Sequence, residues 1–202
     1  MEMGKRHGGR RRLDRRTWAL AALEAFAEGG PGSVAVEAVA RRLGTTKGSF
    51  YWHFRDRQAL LVEALELYER ERTELVIATL EHQHNAGDQL RSLSERVFRD
   101  EGGDDVYHAL LANASHPIVA PVLRRITTRR VDYLTKVMAE LGFPPAEARH
   151  RAMLAYTTWL GLVQTERAVG GRLFRTKRER ARYVGFLAQL LHKREVTEAA
   201  AP

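Results

Sequence analysis

Apolar residues recur at helical spacing along almost the whole chain, and no stretch alternates in the manner of a strand. A first helix is expected over residues 14–28, with Asp14 as N-cap and Trp18, Ala22, Ala25 and Phe26 on one face. Gly29-Gly30-Pro31-Gly32 ends it. A short second helix follows over 36–43, with Val36, Val39, Ala40 and Leu43 as its stripe and Arg41 and Arg42 facing elsewhere. Gly44 is placed to take the left-handed conformation that closes a helix. Thr46 then caps a third helix over 47–54, where Phe50 and Phe54, four apart, point inward together. Two helices joined by a turn of three or four residues containing Gly form a helix-turn-helix.

Asp56 is the expected cap of a fourth helix over 56–80, carried by Leu60, Leu61, Ala64, Leu67, Tyr68, Leu75 and Val76, with a break at Gly87. Further helices are expected over 88–101, 105–115, 118–141, 145–169 and 177–193. Pro121 has no N–H for the carbonyl of residue 117, so a turn near Pro117 and a restart or kink near Pro121 are expected. The fold class is all-α. A three-helix helix-turn-helix domain occupies 13–58 and a larger helical domain 59–195, flanked by a basic arm over 1–12 and a tail over 196–202, both expected to be disordered.

Composition narrows the chemistry. With no cysteine in 202 residues, disulfide scaffolds, zinc ribbons, iron–sulfur sites and thiol catalysis are excluded. No apolar run approaches the ~18 residues of a membrane span, and none follows the basic start as in a signal peptide. A cytoplasmic location and no membrane partner are therefore expected. His82 and His84 are two apart, which on a helix turns them about 200° from each other, so they form no metal pair. No HExxH, GxSxG, P-loop or GxGxxG occurs, so no catalytic residue, metal or cofactor is assigned and the chain is not expected to be an enzyme.

The charge is uneven. Residues 1–60 hold 12 basic and 6 acidic side chains, against 21 and 19 over 61–202. A positive field over the first third of the chain is the footprint of a polyanion site. The arm is open to two readings, a frayed terminus or a segment touching phosphates or a minor groove. A helix that reads base edges must be small at its N-terminal end and polar where it meets them; Lys47, Gly48 and Ser49 fit. Gly48 costs about 1 kcal/mol relative to Ala in a helix, which is explained either by close approach to DNA or by a tolerated surface glycine. Lys47 can reach guanine N7 and O6, or only a phosphate. Arg57 lies in the first turn of the fourth helix, where free N–H groups attract an anion, or else is an ordinary exposed arginine.

The stretch from Leu43 to Phe54 (LGTTKGSFYWHF) and the following Arg55-Asp56-Arg57-Gln58-Ala59-Leu60-Leu61 resemble the TetR family of transcriptional regulators, as does the upstream AALEAFAEGG. The specific likeness covers about residues 13–62. It implies a ligand-responsive regulator, a repressor in the first instance, binding a palindromic double-stranded DNA operator as a homodimer. The implied DNA contacts are Thr46, Lys47, Gly48, Ser49, Tyr51, Trp52, His53 and Arg57. Tyr51 would meet a base or sugar by its ring and a phosphate by its hydroxyl, with Trp52 and His53 flanking the backbone. One position departs from the pattern: Ala35 stands where Ser or Thr caps the second helix, with Ser33 as a nearby substitute.

The resemblance also implies an unknown small-molecule effector in a pocket beyond residue 60, with His108, Asn113, His116, Tyr156, Trp159 and Gln164 as candidate polar lining. The near-neutral charge of that half gives no case for a strongly ionic ligand. Residues 152–163 (AMLAYTTWLGLV) are apolar nearly all round and need cover on every side. With Gly161 allowing close helix approach, and Tyr183, Phe186, Leu187 and Leu190 on one stripe of the last helix, they resemble the family's dimer interface. The alternative function is a non-specific nucleic-acid-binding helical protein working through the basic arm.

Overall fold

The computed structural model describes residues 13–99 and 104–192, and among these it is helical throughout, with no strand. The expected arm and tail lie outside the described residues. The helices are α1 (Arg15–Gly29), α2 (Val36–Arg42), α3 (Lys47–Tyr51), α4 (Arg57–Glu69), α5 (Leu75–Glu81), α6 (Ala86–Arg99), α7 (Asp105–Ala112), α8 (Val119–Glu140), α9 (Pro145–Ala168) and α10 (Lys177–His192). A 3-10 turn, Pro31–Ser33, joins α1 to α2.

Local chemistry explains most of the boundaries. The Asp14 carboxylate accepts the Thr17 N–H at 2.7 Å and starts α1; Asp56 does the same for Ala59 and α4. Gly44 takes a φ of +62°, which only glycine adopts without strain, and lets the chain leave α2 for α3. Other boundaries differ from expectation. Gly87 lies inside the first turn of α6 instead of breaking the chain, because Asn85 accepts the Asp88 N–H at 2.9 Å and starts the helix early. Pro121 neither breaks nor restarts α8: it is the third residue, in the first turn, where a helix N–H has no intrahelical partner. α2 begins at Ala35 without any side-chain cap; Ser33 does not supply one, its hydroxyl lying back against Gly29.

The expected 56–80 helix is a single rod with a flaw in it. Between α4 and α5, residues Arg70–Glu74 form a π turn, where the Leu75 N–H reaches back to the Arg70 carbonyl. The flaw marks a boundary in the packing. One apolar cluster joins α1, α2, α3 and α4 to α7 and the start of α8, and includes Trp18, Phe26, Phe50, Leu65, Leu110 and Ile126. The second joins α5 and α6 to the end of α8 and to α9, and includes Ile77, Leu90, Tyr133, Met138 and Tyr156. Leu67 and Tyr68 end the first cluster on the rod, and Ile77 opens the second. The first core therefore continues past residue 58, binding the helix-turn-helix to the body. Ion pairs lace the rod to α8: Arg125 to Glu69 at 2.5 Å, Arg129 to Glu74 at 3.2 Å, Lys136 to Glu81 at 2.9 Å.

Candidate nucleic-acid interface and ligand cavity

The third helix ends at Tyr51, not at the expected residue 54; Trp52 and His53 form a turn. Phe50 is fully buried, 5.6 Å from Trp18 of α1 by edge contact and 5.6 Å from Phe54 by stacking. These three rings fix α3 on the body and turn its other residues outward. Thr46, Lys47 and Gly48 are exposed, and Ser49 and His53 half-buried. Tyr51 is 57% exposed and Trp52 88%. Two adjacent aromatic side chains in water on one short helix cost the free chain apolar surface that it could have buried. Thr46 has the extended backbone of an N-cap, yet its hydroxyl caps nothing. A Cβ at Gly48 would meet only the Thr46 hydroxyl, at 3.6 Å, so nothing inside the chain requires glycine there.

The charges around α3 are mostly answered within the chain. Lys47 pairs with Glu37 at 2.5 Å, and this contact holds the Glu37 carboxyl below its ordinary value and the Lys47 ammonium above. Arg42 ties α2 to α1 through Glu28 at 2.5 Å and Glu24 at 3.3 Å. Arg15 pairs with Glu63, donates to the His53 carbonyl and lies 4.5 Å over the Phe54 ring. Arg57 does not face outward to an anion. Its Nε donates to the Val34 carbonyl at 2.7 Å and a terminal nitrogen to the Pro31 carbonyl, so it fastens α4 to the α1–α2 connection. Of the net six positive charges in residues 1–60, four belong to residues 1–12, outside the described part.

Between the rod, α6, α8, α9 and α10 lies a cavity of about 660 Å³, a size that suits a small molecule. Of the six polar candidates, it brings Tyr156 and Trp159 to the wall. The other four serve the fold. His108 Nδ1 and Gln164 Oε1 bond each other at 3.0 Å across α7 and α9. Asn113 donates to the Ala109 carbonyl at the end of α7, packed against the Gly30 turn. His116 accepts the Ile118 N–H at the entry to α8. Polar residues that the sequence reading missed also line the cavity: Tyr68, Arg72, Thr73, Asp104 and Arg130 group at the seam between the two cores, and Ser92, Ser94, Glu95, Arg96 and Thr158 lie elsewhere on the wall. Arg130 carried a signal. It sits four residues from Ile126 and four from Leu134, on the buried stripe of α8 where an arginine is out of pattern.

α9 and α10 present apolar surface on two sides. Val184, Leu187 and Ala188 line the cavity, so Leu187, expected at a dimer surface, faces inward. Tyr183 and Phe186 are exposed, Leu190 is exposed at the cavity rim, and on α9 Met153, Leu154 and Gly161 are exposed. A Cβ at Gly161 or Gly185 would meet nothing within 4 Å. No helix among the described residues is long and apolar enough to cross a membrane.

The fold defines a helix-turn-helix carried on a helical body with an internal cavity. Residues 20–64 match the family described as bacterial regulatory proteins, tetR family. The HTH-type transcriptional regulator AcrR of Shigella flexneri is 39% identical over 75 residues, 37% of this chain, and the match spans about a third (34%) of that relative. Over the whole chain the likeness is one of fold. A TetR transcriptional regulator from Legionella pneumophila superposes with a TM-score of 0.72 at 12% identity, covering 94% of this chain and 99% of that one. A transcriptional regulator from Rhodococcus sp. Rha1 gives 0.68 at 22%, covering 89% and 96%. FadR of Bacillus subtilis, solved in complex with stearoyl-CoA, gives 0.65 at 16%, covering 88% and 97%. The helix-turn-helix segment thus carries the tetR-family sequence, and the chain as a whole shares the fold of these regulators.

Proposed function

We propose that this chain is a cytoplasmic transcriptional repressor that binds a palindromic operator as a homodimer and leaves it when a small-molecule effector enters the cavity. One observation carries the reading: the outward face of α3 holds Tyr51 and Trp52 in solvent beside Lys47 and an unforced glycine. Thr46, Lys47, Gly48, Ser49, Tyr51, Trp52 and His53 form the DNA-reading surface, and residues 13–58 are its domain. Phosphates displace Glu37 from Lys47. Arg57 contributes by holding α4 in place. A single five-residue helix contacts too few base pairs for tight binding, so two copies read two half-sites. The exposed apolar residues of α9 and α10, with Gly161 and Gly185 open on their surfaces, supply the mating face. The body, residues 59–195, binds the effector and dimerises.

Selection from random double-stranded DNA at moderate salt tests the reading. It is expected to recover a palindrome bound at about 10⁻⁸ M or tighter, and the absence of any enriched motif would refute it. Deleting residues 1–12 is expected to weaken binding only in part; near-complete loss would favour the non-specific binder, whose affinity resides in the arm.

A further inference from the structure

The cavity wall holds a cation with no carboxylate partner among the described residues. Arg130 is half-buried on the cavity wall, its guanidinium 4.7 Å from the Tyr107 ring centre and 5.9 Å from that of Trp159. Its Nε donates to the Thr73 hydroxyl at 3.1 Å and one terminal nitrogen to the Arg72 carbonyl, inside the π turn, at 3.2 Å. It forms no ion pair with any carboxylate among the described residues. Asp104, on the same wall, is already engaged: it accepts from the Tyr68 hydroxyl at 2.7 Å and from Arg72 at 3.1 Å, and caps α7 through the Tyr107 N–H. The far wall is aliphatic, with Ile77, Leu80, Leu90 and Leu134.

We propose that the cavity takes an amphipathic monoanion, an apolar body bearing one carboxylate, with the carboxylate seated on Arg130. The proposal rests on the reading of the cavity as the effector site. A purely apolar ligand would replace the water around a half-buried guanidinium with hydrocarbon and leave N–H donors without acceptors. A cationic ligand would have to take Asp104 from Arg72 and Tyr68, or Glu95 from the interaction it already makes. A carboxylate instead matches the flat fork of donors and supplies the missing charge. The near-neutral sum over the C-terminal half does not oppose this, because it counts paired charges that no ligand meets.

Calorimetric titration of the full chain at neutral pH with decanoate, decanol and decyltrimethylammonium, the two ions below their micelle concentrations and decanol below its solubility, tests the assignment. Decanoate is expected to bind at least about 10-fold more tightly than decanol, and the ammonium most weakly, since a hydrogen bond to a charged partner is worth about that factor or more. Arg130→Gln is expected to remove the preference while leaving decanol within about threefold, and Arg130→Lys to keep part of it. No saturable binding of decanoate, equal or tighter binding of decanol or the ammonium, or an unchanged preference in Arg130→Gln would overturn the proposal. Arg130 also braces the π turn, so the melting temperature of each variant is taken without ligand; if Arg130→Gln does not fold, the head-group comparison on the unaltered chain decides. The titration needs no DNA. Decanoate binding that leaves operator affinity untouched upholds the ligand class and defeats the regulator reading, and operator binding without head-group preference does the reverse.

Discussion

Arg57→Met separates two roles for a residue at the start of α4. In the structure its guanidinium holds two backbone carbonyls, Val34 at 2.7 Å and Pro31, across the α1–α2 connection. Hydrogen bonds from a charged donor are worth roughly 1.5–3 kcal/mol each. Water reaches this half-buried site and recovers part of that, so the pair together is expected to contribute about 2–3 kcal/mol. In a chain of this size each kcal/mol moves the melting temperature by about 2–4 °C. Thermal unfolding of Arg57→Met, at fixed protein concentration, is therefore expected to fall by about 4–12 °C. Operator affinity, measured by fluorescence anisotropy across a range of salt, gives the second readout. A phosphate ligand present in both half-sites would contribute about 1.8 to the slope of log K against log salt; a residue that only fastens α4 contributes nothing. Unchanged melting with a slope flattened by that amount would refute the structural assignment and restore the expectation drawn from position alone.

Tyr51→Ala and Trp52→Ala are each expected to weaken palindrome binding by about 100-fold or more, one base contact being lost in each of two half-sites, while melting stays within about 1 °C because both side chains are solvent-exposed; a large loss of stability would show that α3 is a core element instead. On the proposed homodimer, Gly161→Leu is expected to give a monomer in sedimentation where the unaltered chain gives a dimer, and a persisting dimer would place the mating face elsewhere. Gly185→Ala should strengthen an isolated α10 by about 1 kcal/mol, so destabilisation at this open position would itself report a partner. Burial pushes the Tyr133 hydroxyl up to about 12 from its ordinary 10. The folded state therefore keeps a proton that the unfolded chain releases, and this contribution, complete below pH 10, is lost as pH rises through about 12. Tyr133→Phe is expected to flatten alkaline unfolding in that window, and an unaltered slope would remove Tyr133 from the account.

What could be read from the chain alone was whatever depends on neighbours a few residues apart. Asp14 and Asp56 start helices through their own third-following N–H, and Gly44 turns the chain with its own φ. Phe50 and Phe54 were legible as inward anchors because a helix repeats every 3.6 residues, and that orientation already implied that Tyr51 and Trp52 look out. Tertiary structure decided how charges and polar groups pair across long separations. Arg57 found carbonyls more than twenty residues earlier, Lys47 found Glu37, and His108 found Gln164. The π turn and the seam beside it were not written in any local pattern, since they arise where two cores of different register meet along one rod. The sequence by itself determined that the chain is helical, where its helix-turn-helix lies and which faces are apolar, because helix periodicity and capping are short-range. Only the folded structure decided that Arg57 is spent on backbone carbonyls and that Arg130 lies on the cavity wall with no carboxylate partner among the described residues, because electrostatic pairing depends on distance in space.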